Sequence, residues 1–212
     1  MMNIIKNTDN KQIIGRKQQI KEIQANIILS QETGKGKKII ISGNKGTGKT
    51  STTHTILTNH TNKIYIDCSI FNTAYMLSAE LHRIIFNDKE LIMKGSNTLK
   101  LIRDVYLKLD ITQQQHIIIC DNVEYVKNSK DFKRLQDMLT KKHILIFIYN
   151  EIYNEGIKFP YYTTQEKQEI LKHLLEINKI DKEIIKNVKI SNTQTITDII
   201  DEININILME KI

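Results

Sequence analysis

Eight consecutive residues, GNKGTGKT at Gly43–Thr50, constrain the fold of this chain more than any other stretch. Two glycines flank four residues and a Lys-Thr pair follows, which is typical of a loop that wraps phosphate groups with its backbone N–H groups. An apolar run, Ile39–Ser42, precedes the loop, and a helix-forming stretch begins near Lys49. This order favours phosphate binding, because a helix directs the positive end of its dipole at the anion.

Short apolar runs alternate with helical patterns as far as Tyr149. Strands are predicted at Ile39–Ser42, Lys63–Cys68, His116–Cys120 and His143–Tyr149. Helices are predicted at residues 16–30, after Lys49, around Ala74–Ile84 and Leu99–Tyr106, and at residues 130–140. Because these strands are apolar throughout and alternate with helices, the pattern predicts an α/β fold with a parallel sheet covered by helices on both faces.

The pattern changes after the last of these strands. Helical segments follow at Thr163–Ile177, near Ile180–Val188 and at Thr195–Met209, and the chain's one proline, Pro160, stands before them. Thr163 and Glu166 fit a capping box for the first segment. We therefore predict an ATP-binding domain at residues 1–162, with a polar and frayed start at residues 1–12, and a partial helical lid at residues 163–212.

The loop and one downstream aspartate predict a site for ATP and Mg²⁺. Lys49 is expected to reach the β- and γ-phosphates, and the Thr50 hydroxyl to ligate Mg²⁺. Asp121 follows the buried run IIIC and is the natural second carboxylate ligand of the metal shell. The predicted contacts are Gly43, Asn44, Lys45, Gly46, Thr47, Gly48, Lys49, Thr50, Ser51 and Asp121, with Thr50 and Asp121 as the metal ligands.

Asn122 occupies the position where ATPases of this kind usually place a glutamate that aims the attacking water. Asparagine cannot take a proton at neutral pH, so hydrolysis is expected to be weak or absent. Glu124 would share a face with Asn122 in an extended stretch and could replace the missing base only if a turn redirected it. Asn150, which follows the fourth strand, is either a contact to the γ-phosphate or its water, or a strand-terminating residue.

The net charge of +7 and a pI of about 9.2 favour an anionic partner such as nucleic acid. The excess of lysine over arginine can equally come from the base composition of a genome. No stretch has the length and hydropathy of a membrane span, and we expect no membrane partner.

Several stretches together resemble one family of proteins. IIGRKQQIKEI at Ile13–Ile23, the phosphate loop and YIDCSIFNTAYML at Tyr65–Leu77 resemble the initiator clade of AAA+ ATPases. The segment His143–Leu171, with FPYY at Phe159–Tyr162, is similar to subunit 5 of the origin recognition complex. DFKRLQDML at Asp131–Leu139 resembles the helix before the fourth strand of that subunit.

The resemblance implies a P-loop AAA+ domain with a helical lid, in an ATP-binding subunit of the origin recognition complex that acts in the nucleus at replication origins. It implies that Ile14, Gly15 and Arg16 lie near the adenine and that Arg134 faces a neighbouring subunit's nucleotide. The implied partners are the other subunits of the complex and, through them, origin DNA. Members of that family are much longer and end in winged-helix parts, so a reduced version or a truncated product is expected here.

Two other functions stay open. One is a small nucleoside or nucleotide kinase, but such enzymes clamp phosphates with several arginines, often on a lid, and no arginine follows Arg134. The other is a stand-alone AAA+ ATPase switch that binds protein and not DNA.

Overall fold

The computed structural model describes residues 13–71, 73–87, 97–126, 129–178, 190–191 and 194–209. Within them, the strands are β1 Lys37–Ser42, β2 Lys63–Asp67, β3 Ile117–Asp121, β4 Ile144–Tyr149 and β5 Ile157–Lys158. The α-helices are α1 Lys17–Thr33, α2 Lys49–Ile56, α3 Ala74–Phe86, α4 Thr98–Ile111, α5 Lys130–Leu139, α6 Thr164–Asn178 and α7 Ile196–Met209. The predicted segment 180–188 and the N-terminal residues 1–12 lie outside the described residues.

The five strands form one sheet in the order β2-β3-β4-β1-β5, and every neighbouring pair is parallel. The predicted parallel sheet is therefore confirmed. The fifth strand was not predicted, because two residues are too short to show a period; it pairs with β1 through Ile157 and Ile41. Cys68 was predicted to end β2 but begins a short 3₁₀ turn instead, since the strand stops at Asp67.

Alternate residues of the central strands point to opposite faces of the sheet, and each face carries its own apolar cluster. Ile118 and Cys120 pack with residues of α3, α4 and α5. Ile117 and Ile119 pack on the other face with residues of α1 and with Leu57, which follows α2. All five residues of β3 and all six of β4 are buried, which explains why their sequences are apolar throughout.

A third apolar cluster belongs to the two C-terminal helices. Its buried members are Leu171, Leu174, Leu175, Ile199, Ile200 and Ile203. The predicted capping box begins α6: the Thr163 N–H donates to Glu166 Oε2 at 2.7 Å, and the Glu166 N–H donates to Thr163 Oγ1 at 3.2 Å. Thr195 and Asp198 repeat this exchange at the start of α7. The two helices thus have defined starts and a core of their own.

Among the helices that the structure describes, none combines the length and the apolar character needed to cross a bilayer.

Candidate nucleotide-binding site

Parallel strands bring their carboxyl ends to one edge of the sheet, and the predicted site residues gather there. Ser42, the last residue of β1, pairs with Tyr149 of β4, and Asp67 of β2 pairs with Asp121 of β3. The loop Gly43–Gly48 therefore begins beside the segment that follows β4, and the Gly43 N–H donates to the Glu151 carbonyl at 3.2 Å.

The loop turns sharply before α2. Gly46 and Gly48 have φ values of +78° and +84°, which glycine adopts without steric cost. Helix α2 begins at Lys49, directly after the second of these glycines. The sequence pattern of glycines thus coincides with the backbone conformations that a phosphate-wrapping loop needs.

Lys49 lies inside this loop. Its side chain is 3% exposed, and Nζ donates to the carbonyl oxygens of Gly43 and Asn44, both at 2.8 Å. Burial lowers the pKa of Lys49 to about 8, although the nearby carboxylates of Asp121 and Glu124 oppose that shift. The ammonium group is therefore held at the mouth of the loop by two carbonyl groups, which are weaker partners than a phosphate.

Thr50 and Asp121 meet across 71 residues of sequence, and the Thr50 hydroxyl donates to Asp121 Oδ2 at 2.7 Å. The Tyr65 hydroxyl donates to the same oxygen at 3.0 Å. Burial and the negative charge of Asp121 raise the pKa of Tyr65, which keeps this donor protonated. A hydroxyl and a carboxylate in contact form the kind of oxygen donor set that Mg²⁺ prefers, so these residues fit the metal. Tyr65 was not predicted, because nothing in its strand distinguishes it from a packing residue.

Asn122 turns the chain immediately after β3. Its φ of 55° and ψ of 44° are left-handed, and a 3₁₀ turn, Val123–Tyr125, follows. The Asn122 side chain donates from Nδ2 to Asp67 Oδ1 at 2.7 Å. The chain is therefore not extended here, and the turn that would redirect Glu124 is present.

Glu124 contacts Asn150 through both carboxylate oxygens. The Asn150 N–H donates to Oε2 at 3.3 Å, and Asn150 Nδ2 donates to Oε1 at 3.1 Å. Asn150 Nδ2 also lies against Asn122 Oδ1. Burial alone would raise the pKa of Asp67, but hydrogen bonds from Asn122 and Ser69 outweigh it and the pKa is lowered. A continuous polar network thus joins the ends of β2, β3 and β4.

Arg16 is buried, with 2% of its surface exposed. Its Nε donates to the Thr47 carbonyl at 3.1 Å, and its Nη2 donates to the Pro160 carbonyl at 2.7 Å. The guanidinium carbon lies 3.7 Å from the centre of the Tyr162 ring and 5.5 Å from that of Phe159. Arg16 therefore ties the phosphate loop to the FPYY segment, and its position near an adenine stays a prediction.

The helical lid and the FPYY segment before it each touch the loop at a glycine. A Cβ atom added to Gly46 would lie 2.5 Å from Thr195 Cβ, and one added to Gly48 would overlap the Tyr162 hydroxyl. Gly15, whose φ is +74°, faces Glu166 of α6 in the same way. The lid and the loop are thus in direct contact, which sequence periodicity could not reveal.

The other predicted residues lie apart from this network. Arg134 is on α5, exposed, and pairs with Asp131 at 3.0 Å. Lys45 and Ser51 are exposed, and Ile14 is half-buried. Their roles toward a nucleotide or a neighbouring subunit stay predictions.

The sequence profile of the AAA domain family matches residues 33–151, which include the loop, Asp121 and Asn150. A comparison with curated proteins finds no match.

Solved structures with the same fold include proteins named ORC and Cdc6p. The ORC1 protein of Aeropyrum pernix, solved in complex with DNA, is 13% identical with a TM-score of 0.79, over 99% of this chain and 64% of that chain. Cdc6p of Pyrobaculum aerophilum is 16% identical with a TM-score of 0.68, over 82% of this chain and 53% of that chain. Drosophila ORC, solved bound to DNA, is 15% identical with a TM-score of 0.58, over 95% of this chain and 57% of that chain. This chain therefore spans less than two thirds of the length of each of these relatives.

At such identities the structural likeness establishes the fold, and the profile match over more than half of the sequence establishes the family. The chain belongs to the AAA domain family and has the P-loop AAA+ fold seen in the archaeal proteins ORC1 and Cdc6p.

Proposed function

We propose that this protein is an ATP-binding AAA+ subunit of an origin recognition complex and that it acts in the initiation of DNA replication. The observation that carries the proposal is the convergence of Lys49, Thr50 and Asp121 at the edge of the sheet. The similar structures are replication initiators, and two of them are bound to DNA. The proposal combines this local chemistry with that likeness of fold.

The binding step follows from the contacts of Lys49. Its ammonium exchanges the uncharged carbonyls of Gly43 and Asn44 for the β- and γ-phosphates, whose negative charge adds an attraction that the carbonyls lack. Thr50 and Asp121 hold Mg²⁺, which when bound neutralises charge on the phosphates. Thr195, at the start of α7, faces Gly46 and helps to cover the loop.

The finer proposal is a nuclear protein of the subunit 5 type. It is supported by the FPYY segment, which Arg16 binds through Pro160 and Tyr162. The other subunits of the complex would be its partners, and origin DNA would be contacted within the assembly. Arg134 would face a neighbour's nucleotide, for which its exposed position on α5 leaves it accessible.

The function is tested first by nucleotide binding. Lys49→Ala should abolish Mg·ATP binding measured by calorimetry, and Lys38→Ala, which removes an exposed lysine of β1, should leave it unchanged. Circular dichroism checks that both variants stay folded. ATP binding by Lys49→Ala at the parental affinity would show that Gly43–Thr50 is not the site.

The assembly is tested by mass spectrometry of proteins that co-purify with the tagged chain from its source cells. Other initiator subunits are the expected finding. A chain that binds Mg·ATP but recovers none of them would favour a stand-alone switch, whereas transfer of phosphate to a nucleoside would favour the kinase.

A further inference from the structure

The carboxylate of Glu124 is the acidic group that the turn after β3 brings back toward the phosphate loop. It is half-buried, and its negative charge opposes the lowering of the Lys49 pKa. Glu124 accepts hydrogen bonds from Asn150, and the next residue, Glu151, accepts one from the Gly43 N–H at the start of the loop. Glu124 therefore lies on the side of the site where a γ-phosphate and its attacking water would be.

The backbone explains how a residue three positions after Asp121 reaches this place. In an extended strand Glu124 would lie about 10 Å beyond Asp121. The left-handed conformation of Asn122 and the 3₁₀ turn at Val123–Tyr125 reverse the chain instead. Val123 is fully buried and anchors the turn in the core of the α3–α5 face.

The side chain of Asn122 is committed elsewhere. Its Nδ2 donates to Asp67, and its Oδ1 contacts Asn150. An amide in this arrangement cannot accept a proton from water. It does hold Asn150 in the orientation from which the Asn150 amide and N–H reach both oxygens of Glu124.

We infer that Glu124 orients the attacking water and accepts its proton, and that Asn150 is the residue that positions Glu124. The inference rests on the proposed function, since it requires Mg·ATP in the loop. Glu124 takes one proton of the water while the water oxygen bonds to the γ-phosphorus and the bond from that phosphorus to the bridging oxygen breaks. The bond electrons leave with ADP, the other product is phosphate, and Glu124 returns the proton to solvent.

Turnover should nevertheless be slow. Each oxygen of Glu124 accepts one hydrogen bond from Asn150 and keeps a lone pair that can hold a water. The sequence after Arg134 contains no arginine that could stabilise the charge of the transition state from the lid. The isolated chain should therefore hydrolyse ATP slowly but above the rate in buffer.

The test is single-turnover phosphate release from Mg·ATP by the full chain. Glu124→Gln should reduce the rate to that in buffer, within a loss of roughly 10²- to 10⁴-fold expected for a positioned base, while the Kd for Mg·ATP changes less than about threefold. Glu155→Gln, which neutralises an exposed carboxylate in the loop after β4, is the matched control and should keep the parental rate. Asn150→Asp sets a second carboxylate against Glu124 and should lower the rate.

A second measurement needs no nucleotide. In the ¹H–¹⁵N spectrum of the chain alone, the backbone and side-chain amide signals of Asn150 should shift in Glu124→Gln, because their acceptor is no longer charged, and should not shift in Glu155→Gln. Unmoved Asn150 signals, a parental rate in Glu124→Gln, or a parent chain that binds Mg·ATP without releasing phosphate would each overturn the inference and leave the proposed function standing. Failure of the parent chain to bind Mg·ATP would overturn both.

Discussion

Arg16 stacks on Tyr162 with the guanidinium carbon 3.7 Å from the ring centre, although 146 residues separate them in sequence. Through its Nε the same side chain holds the Thr47 carbonyl of the phosphate loop. The N-terminal segment, the loop and the FPYY segment before the lid are thus linked by one buried cation. This link connects the stability of the fold to the shape of the nucleotide site.

Arg16→Lys should destabilise the fold by about 2 kcal/mol. Lysine keeps the charge but lacks the planar fork that binds Thr47 and Pro160 together and stacks on the ring. The loss of one charged hydrogen bond accounts for most of this change, because lysine keeps part of the attraction to the ring. Urea unfolding measures the change, and Arg134→Lys on the exposed face of α5 is the control, for which no more than about 0.5 kcal/mol is expected.

The affinity for Mg·ATP should fall as the pH rises above about 8. Burial sets the pKa of Lys49 near that value in the nucleotide-free chain, whereas phosphates would keep the group protonated in the complex. Binding above pH 8 then takes up a proton, and the Kd should rise toward about tenfold per pH unit. Titration with a fluorescent ATP analogue between about pH 7 and about pH 9.5, on both sides of the Lys49 pKa, measures this.

Rising pH has the opposite effect on stability: it weakens Mg·ATP binding but increases the contribution of Lys49 to the free energy of unfolding. The folded-state pKa of Lys49 lies below the unfolded value of 10.5, so between about 8 and 10.5 the unfolded chain binds more protons. Its contribution to the free energy of unfolding therefore increases with pH in that window.

A Kd that does not change across pH 8 would show that Lys49 is charged and well solvated before nucleotide arrives. Lys49→Arg, whose guanidinium stays protonated, should remove the dependence on pH.

Asn122→Glu should not create a better ATPase. A glutamate at this position would place its carboxylate toward Asp67, which now accepts a hydrogen bond from Asn122, and would have to adopt a left-handed backbone. We expect a loss of about 1–3 kcal/mol in unfolding free energy and no faster phosphate release. Asn122→Gly keeps the backbone conformation and separates the two effects. Faster hydrolysis by Asn122→Glu would contradict the assignment of Glu124.

A chain ending at Tyr162 should stay folded. Both apolar clusters of the sheet are complete by Phe159, and the third cluster belongs entirely to the segment after Tyr162. The shortened chain should bind Mg·ATP more weakly, because Thr195 no longer covers Gly46. Calorimetry and circular dichroism measure the two properties. An unfolded fragment would show that α6 and α7 belong to the same folding unit as the sheet and would contradict the predicted boundary.

Much of the fold could be predicted because the determining signals are local. Four strands are continuous apolar runs, and the glycines of Gly43–Thr50 specify a backbone conformation directly. The box formed by Thr163 and Glu166 marked the start of α6 to the residue. Strand β5 could not be recognised, since it is defined by its pairing with β1 and not by a pattern of its own.

The site was predictable only where a motif names the residue. Lys49, Thr50 and Asp121 follow from the loop and from a strand end. The contact of Asp67 with Asn122 instead depends on the register of β2 and β3, and it joins residues that are 55 positions apart in sequence. The position of Glu124 depends on one backbone conformation at Asn122. Asparagine adopts the left-handed region more readily than most residues, which is a weak signal that the sequence does contain.

The third apolar cluster, formed by the lid helices, has a consequence for local unfolding of the protein. No buried residue of that cluster belongs to either cluster of the sheet. We therefore expect α6 and α7 to unfold locally as one cooperative unit. Native-state hydrogen exchange would then group the amides of both helices at a common opening free energy below that of β3 and β4. ATP bound beneath Thr195 would raise the opening free energy of the lid toward that of global unfolding. The exchange rates of α6 and α7 would then report whether the phosphate loop holds a nucleotide.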